Sequence, residues 1–275
     1  MDKALEAEPI KKNIIKKTGT GKGTVRNGGA LFGIILPAII FLTWFIVTEN
    51  GVFSSAILPS IKTVWESFLS QAQSGQLAQD LGVSLVRVLK GFCVASVLGI
   101  MFGVLMGISE KTDRFFSLTF NSIRQIPMMA WIPLIILWFG IDELSKTVII
   151  VLGAFFPVLV NTISGIKEVP KGFIEVGKMY RLSKWELFRK IYFPSAIPSI
   201  FVGLKLSLGY SWMVVVAAEL VSASSGIGYR INDARSLMQP EVVIVGMFAI
   251  GIIGILMDKI LAGISRRITP WTADR

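Results

Sequence analysis

Long uncharged apolar stretches alternate with short polar segments along this chain, and the lengths of the apolar stretches set the fold class. Residues 28–48, 91–109 and 147–166 contain no charged side chain. A helix rises about 1.5 Å per residue, so about 20 such residues cross a hydrocarbon core. Three further stretches are long enough but interrupted: 115–141 by Arg124, 195–218 by Lys205, and 242–264 by Asp258 and Lys259 near its end. The pattern predicts an all-α membrane protein with six transmembrane helices.

Shorter periodicities organise the connections. Leu58-Pro59-Ser60 breaks the chain, and Val64, Trp65, Phe68 and Leu69 then recur at the spacing of an amphipathic helix that rests on the outer interface. Gln71 to Gln79 reads as a polar loop. Pro170 suits a helix's first turn, and Phe173, Val176, Gly177 and Tyr180 follow three or four apart on one face of a short helix. Glu175 lies near that helix's N-terminal turn, where a carboxylate is favoured. Ser183-Lys-Trp-Glu186 is the pattern of a capping box for a second short helix. Trp185, Leu187, Phe188 and Ile191 form its apolar stripe, and Pro194 discourages its continuation. The two helices meet at a bend at Arg181-Leu182. Gly226-Ile-Gly228 reads as a bend within an outward segment at 221–240.

Composition agrees with a membrane protein. Hydrophobic residues make up 53% and charged residues 17%, against about a quarter charged in soluble domains, and the mean hydropathy is +0.66. The net charge of +10 is unevenly spread. With both termini in the cytoplasm, 20 of the 28 Lys and Arg residues fall in inside segments and only Lys62, Lys146, Arg230 and Arg235 fall outside. The loop from 167 to 190 alone carries seven cations. The basic balance thus reads as topology and as a match to anionic inner-leaflet lipids. The cations are dispersed over four inside segments, which argues against nucleic acid as a partner.

The candidate chemistry is sparse. There is no His, and the single Cys93 lies inside an apolar span, so neither a transition-metal site nor an internal disulfide is expected. The Gly-rich tail around residues 18–24 lacks the Gly-Lys-Ser/Thr of a phosphate loop, so the chain itself is not expected to bind ATP. No cleavable signal peptide is evident ahead of residue 28. No paired intramembrane carboxylates point to an enzyme, and an ion-coupled secondary carrier or channel would call for intramembrane acids and an inverted repeat. Pro127 and Pro133 interrupt the third span, as helices do where they line a cavity. Arg124 and Lys205 each lie about ten residues into their spans, roughly 14 Å deep. A charge there needs water or a partner, so the two read as a candidate cationic collar on a translocation path, with Glu219 orienting Arg230 or gating the outer end. Gly91, Gly99, Gly103 and Gly107 supply small residues for close helix packing.

Glu175, Ile191 and Pro194 reproduce the spacing of the EAA loop of ABC-importer permeases. Val176-Gly177 replaces its Ala-Ala, and Arg181 stands where the family has its turn glycine. Residues 91–107, Arg124-Gln-Ile-Pro127, Trp131-Ile-Pro133, Leu137-Trp-Phe-Gly140, Ala217-Ala-Glu219 and Gly226-Ile-Gly228 resemble the nitrate/taurine/alkanesulfonate branch of type I ABC permeases. The resemblance implies a transport subunit, not an enzyme, with a basic tail at 1–27, a permease domain at 28–265 and a C-terminal tail at 266–275. It implies a coupling loop at 168–194 that docks on an ATPase dimer through Phe173, Glu175, Gly177, Tyr180, Arg181, Ser183, Trp185, Glu186, Ile191 and Pro194. It further implies a path along Arg124, Pro127, Lys205 and Glu219, a second permease copy, and an extracytoplasmic binding protein. ATP and Mg would bind the partner ATPase, leaving this chain without a cofactor. The expected substrate is an aliphatic sulfonate or taurine, then nitrate, with an uncharged thiamine-precursor pyrimidine as the alternative. A bacterial plasma membrane is the expected location.

Overall fold

The computed structural model describes residues 28–270, so the expectations placed on 1–27 and 271–275 lie outside it. Every regular element among the described residues is a helix. The first, α1 (Gly28–Glu49), stands in a unit of its own up to Ile46 and has no charged residue before Glu49.

The second unit starts at Val47, and its first whole helix is α2 (Ile61–Gln73), where the Ser60 hydroxyl accepts a hydrogen bond from the Thr63 N–H at 3.2 Å. The four apolar residues expected on one face divide: Val64 is buried, whereas Trp65, Phe68 and Leu69 are exposed. The expected loop at Gln71–Gln79 is mostly helical instead. Only Ser74 and Gly75 separate α2 from α3 (Gln76–Ile108), because Gly75 at φ 74° turns the chain within two residues.

α4 (Glu110–Gln125) and α5 (Met128–Phe139) make up the interrupted third stretch, bent by 99°. Pro127 breaks it: proline lacks an N–H and pushes the residue before it into the extended region, where Ile126 sits at ψ 122°. Pro133, also expected to interrupt, lies inside α5 without breaking it. There the missing N–H deprives a single carbonyl of its partner, and the helix runs through.

α6 (Glu143–Lys167) is the central helix, packed between α3 and α9 (Phe193–Ser222). Gly91, Gly99, Gly103 and Gly107 of α3 face Ile150, Val158, Thr162 and Ile166 of α6, respectively. Each pair has the same sequence offset, so the two helices run parallel and in register. A Cβ at Gly103 would lie 2.5 Å from the Thr162 Cβ, so the stripe sets how closely the helices approach. α9 packs on an adjacent face of α6 in the antiparallel sense and also meets α3: Gly203 abuts Asn161 and Pro157, and Ser207 donates to the Ala154 carbonyl at 2.7 Å.

Between α6 and α9 lie α7 (Lys171–Met179), α8 (Lys184–Leu187) and a π turn (Phe188–Tyr192). Pro194 was expected to stop the helix that Ser183 starts, yet helix continues without a break from Lys184 to Ser222. The π turn resolves the conflict. The Phe193 N–H reaches back to the Phe188 carbonyl, one residue further than in an α-helix, and the ring of Pro194 follows this widened turn. After α9 come α10 (Ile227–Ser236) and α11 (Pro240–Ile268). Four helices (α3, α6, the run from Lys184 to Ser222, and α11) are long and apolar enough to cross a membrane, and the α4–α5 pair passes the same test together.

Candidate functional site

The predicted loop residues come together as a compact knob. α7 ends in a Schellman motif: the Leu182 N–H donates to the Gly177 carbonyl at 3.1 Å and the Arg181 N–H to the Lys178 carbonyl at 2.9 Å. That places Arg181 in the left-handed region, at φ 55°, where the resemblance implied a turn glycine. The Ser183 hydroxyl accepts from the Glu186 N–H at 3.3 Å, and the Ser183 N–H donates to the Glu186 carboxylate at 3.0 Å. This is the reciprocal capping box that the sequence predicts. Glu186 lies outside the apolar stretch 195–218, and the Ser183 N–H and hydroxyl, then Lys190, hold its carboxyl below the usual range.

Gly177 does not share a face with Phe173, Val176 and Tyr180. It is buried, and a Cβ there would lie 2.6 Å from a Leu187 methyl and 2.7 Å from one of Ile191. The outward surface is instead Phe173, Val176, Met179, Tyr180 and Trp185, with Tyr180 79% and Trp185 66% exposed. Glu175 is exposed beside them. Trp185 also leans on Phe188, ring centroids 5.6 Å apart.

The four residues assigned to a path separate. Arg124, in the last turn of α4, lines a cavity of about 440 Å³ with Met128 and Trp131 of α5, Phe156 and Asn161 of α6, and Tyr210 of α9. Pro127 sets the bend that opens beside it. Lys205 faces another way and pairs with Asp258 of α11 at 3.2 Å. Glu219 is fully buried and does not orient Arg230: its partners are Arg87, Ser84 and the Gly228 N–H, while Arg230 pairs with Asp80 at 3.0 Å. A carboxylate beside a buried guanidinium is satisfied there, so Arg230 is left for Asp80.

Sequence reasoning missed the network around Arg87. Its guanidinium uses every donor: Nε and Nη2 to Glu143 at 2.8 and 2.5 Å, Nη1 to Glu219 and to the Ser225 carbonyl at 2.7 Å each, and Nη2 also to the Ser225 hydroxyl at 3.0 Å. Consecutive N–H groups at the start of α10 complete it, with Gly226 donating to Asp80, Ile227 to Ser84 and Gly228 to Glu219. Gly226 sits at φ 107°, and a Cβ on it would lie 2.5 Å from Glu219 Oε1. The network therefore pins the Ser225–Gly228 turn to α3, α6 and α9. The signal was there in Asp80, Ser84 and Arg87, spaced as one helical face.

Residues 77–273 match the model of the family described as binding-protein-dependent transport system inner membrane component. The chain belongs to this family. Within it, the chain is a permease of the nitrate/taurine/alkanesulfonate branch of type I ABC importers, a multi-pass bacterial membrane protein and a transport subunit. A Bacillus subtilis protein named as an aliphatic sulfonates transport permease, SsuC, is 37% identical over 243 residues, covering 88% of each chain. An Escherichia coli protein of the same name is 39% identical over 236 residues, 86% of this chain and 90% of that one. Among solved structures, an inward-facing MetNI methionine ABC transporter chain superposes with a TM-score of 0.61 at 18% identity, over 72% of this chain and 99% of that one. The last of these speaks for the fold alone.

Proposed function

We propose that this permease forms the translocation path of an ATP-driven importer for a small anion, an aliphatic sulfonate or taurine first and nitrate next. Its membership of the family, joined to 37–39% identity with two relatives named for aliphatic sulfonates, carries this reading. The described helices fit six spans with both termini in the cytoplasm: α1, α3, the bent α4–α5 pair, α6, the apolar part of α9, and α11. In such a model the second and fourth spans run the same way, which the parallel course of α3 and α6 supports.

The knob at 170–194 then lies in the cytoplasm. Its exposed Phe173, Tyr180 and Trp185, with exposed Lys178, Lys184 and Arg189 on the same segment, fit a groove on a separate ATPase subunit, and ATP and Mg bind there. Two copies of this chain pair in the membrane, and an extracytoplasmic binding protein delivers substrate to the outer face. Arg124 and Pro127 belong to the path in this reading. Lys205 and Glu219 serve to hold helices together.

Uptake of labelled ethanesulfonate, taurine and nitrate in cells with and without the gene tests the proposal. Loss of sulfonate uptake on deletion, restored by the intact gene, is the expected result. Unchanged uptake of all three anions, with loss only of a neutral thiamine-precursor pyrimidine, would overturn the anion reading.

A further inference from the structure

Two cavities lie end to end along α6. The first, about 440 Å³, takes in Leu152 to Asn161, and the second, about 320 Å³, takes in Phe156 to Lys167. Arg124, Phe156 and Val160 line both, so they form the partition between them. At 1.5 Å per residue the two together follow about 22 Å of α6.

Their chemistry differs. The first is walled by Ile126, Met128, Trp131 and Phe156, with Arg124 as its one charged lining residue. The second adds Ser117, Asn121 and Ser164, and ends at the Asp113–Lys167 ion pair of 2.5 Å, four residues ahead of the first residue of α7. Arg87, Lys167 and Lys205 each face a carboxylate. Among the described residues, no carboxylate lies within ion-pair distance of Arg124, which is exposed. A guanidinium at membrane depth without a counter-charge is costly, and a water-filled or anion-filled cavity offsets that cost.

We infer that the two cavities are successive stations of one route for a short-chain aliphatic monoanion, with Arg124 at the partition as the selecting cation. The apolar first station takes the alkyl tail while Arg124 takes the anionic head. The polar second station, with Lys167 at its far end, receives the head beside the foot of the knob. The inference rests on the permease reading and deepens it, and it drops Lys205 from the selecting group.

The test is thiol labelling of the full transporter in membrane vesicles. Cys93→Ser removes the native thiol, and Val160→Cys or, separately, Ile123→Cys places one at the partition or in the first cavity. The probes are the 2-sulfonatoethyl and 2-(trimethylammonio)ethyl methanethiosulfonates, each rate divided by that with free 2-mercaptoethanol. The expected result is a preference of about tenfold or more for the sulfonate reagent, from the local concentration of anions by a cation in a low-dielectric cleft. The preference should fall to about unity in Arg124→Gln and persist in Arg124→Lys. Millimolar ethanesulfonate should slow the labelling. Equal rates with both reagents, a preference that survives Arg124→Gln, or no labelling of either cysteine would each overturn the inference. Ethanesulfonate uptake by the unaltered chain separates the two claims. Uptake without the labelling preference sinks the route alone, whereas the preference without uptake leaves the site standing and removes the sulfonate importer.

Discussion

Arg87 Nη1 lies 2.7 Å from Glu219 Oε1, with the Arg87 side chain 5% exposed and that of Glu219 not at all. Two opposite charges are thus removed from solvent together, and each is left with full hydrogen bonding. Removing Arg87 leaves Glu219 charged and buried, which costs about 3–5 kcal/mol, whereas removing Glu219 leaves Arg87 its pair with Glu143. Arg87→Ala should therefore lower the thermal midpoint of the purified permease sharply, and Glu219→Gln should lower it less. Arg87→Met combined with Glu219→Met should cost less than the two single changes added together, and strict additivity in that cycle would show that the pair is not coupled.

The close approach of α3 and α6 predicts a steric effect. Gly103→Val would put its Cβ 2.5 Å from the Thr162 Cβ on a helix that is also held by α9. A loss of about 1–3 kcal/mol is expected, as for other overpacked interiors. Gly82, which has nothing within 4 Å, is the control, and Gly82→Ala should leave detergent stability intact. Size-exclusion profiles after graded heating would read both.

Arg181 adopts φ 55° at the position after the α7 C-cap. A left-handed non-glycine residue costs about 1–2 kcal/mol, so Arg181→Gly should stabilise the isolated permease by about 1 kcal/mol. If the guanidinium also contacts the ATPase, the same change will weaken copurification while raising the thermal midpoint. A drop in midpoint would mean that Arg181 makes contacts within the knob that outweigh its backbone conformation.

Trp185 and Tyr180 are large, aromatic and mostly exposed on the knob, whose buried contacts at Gly177 are made by Leu187 and Ile191. Trp185→Ala and Tyr180→Ala should each weaken association with the ATPase subunit by about tenfold or more, as buried aromatic anchors do, with helix content by circular dichroism unaltered. Ser183→Ala acts differently. It removes a cap worth about 1 kcal/mol and should speed amide exchange at Glu186 and Leu187.

The Lys205–Asp258 pair ties α9 to α11. Lys205→Gln should destabilise the permease, and adding Asp258→Asn should recover part of the loss, since the second change removes the stranded carboxylate. Loss of sulfonate uptake in Lys205→Gln together with normal stability would return Lys205 to the path.

Local signals made much of this fold legible. The capping box at Ser183 and Glu186, the bend at Arg181 and the break at Pro127 each depend on residues within a few positions of one another, where spacing and backbone preference decide. Gly226 and Gly228 read as a bend for the same reason, although their service to Glu219 did not show. What stayed hidden was long-range. Asp80, Ser84 and Arg87 look solvent-facing because they are polar, and their partners at Glu143, Glu219 and Ser225–Ile227 lie 56 to 146 residues away. The π turn hid for a different reason: proline as a helix breaker is a local rule, and a widened turn just ahead of Pro194 circumvents it.

That π turn makes the helix from Lys184 to Ser222 behave like a screw cut with one interrupted thread. Each residue added or removed turns everything beyond it by about 100°. Trp185 at one end must face outward from the knob, and Glu219 near the other must face Arg87. Substitutions along the shaft can be absorbed one at a time, but a single-residue insertion or deletion between them cannot satisfy both ends. The length of this segment is therefore more tightly fixed than most of its side chains.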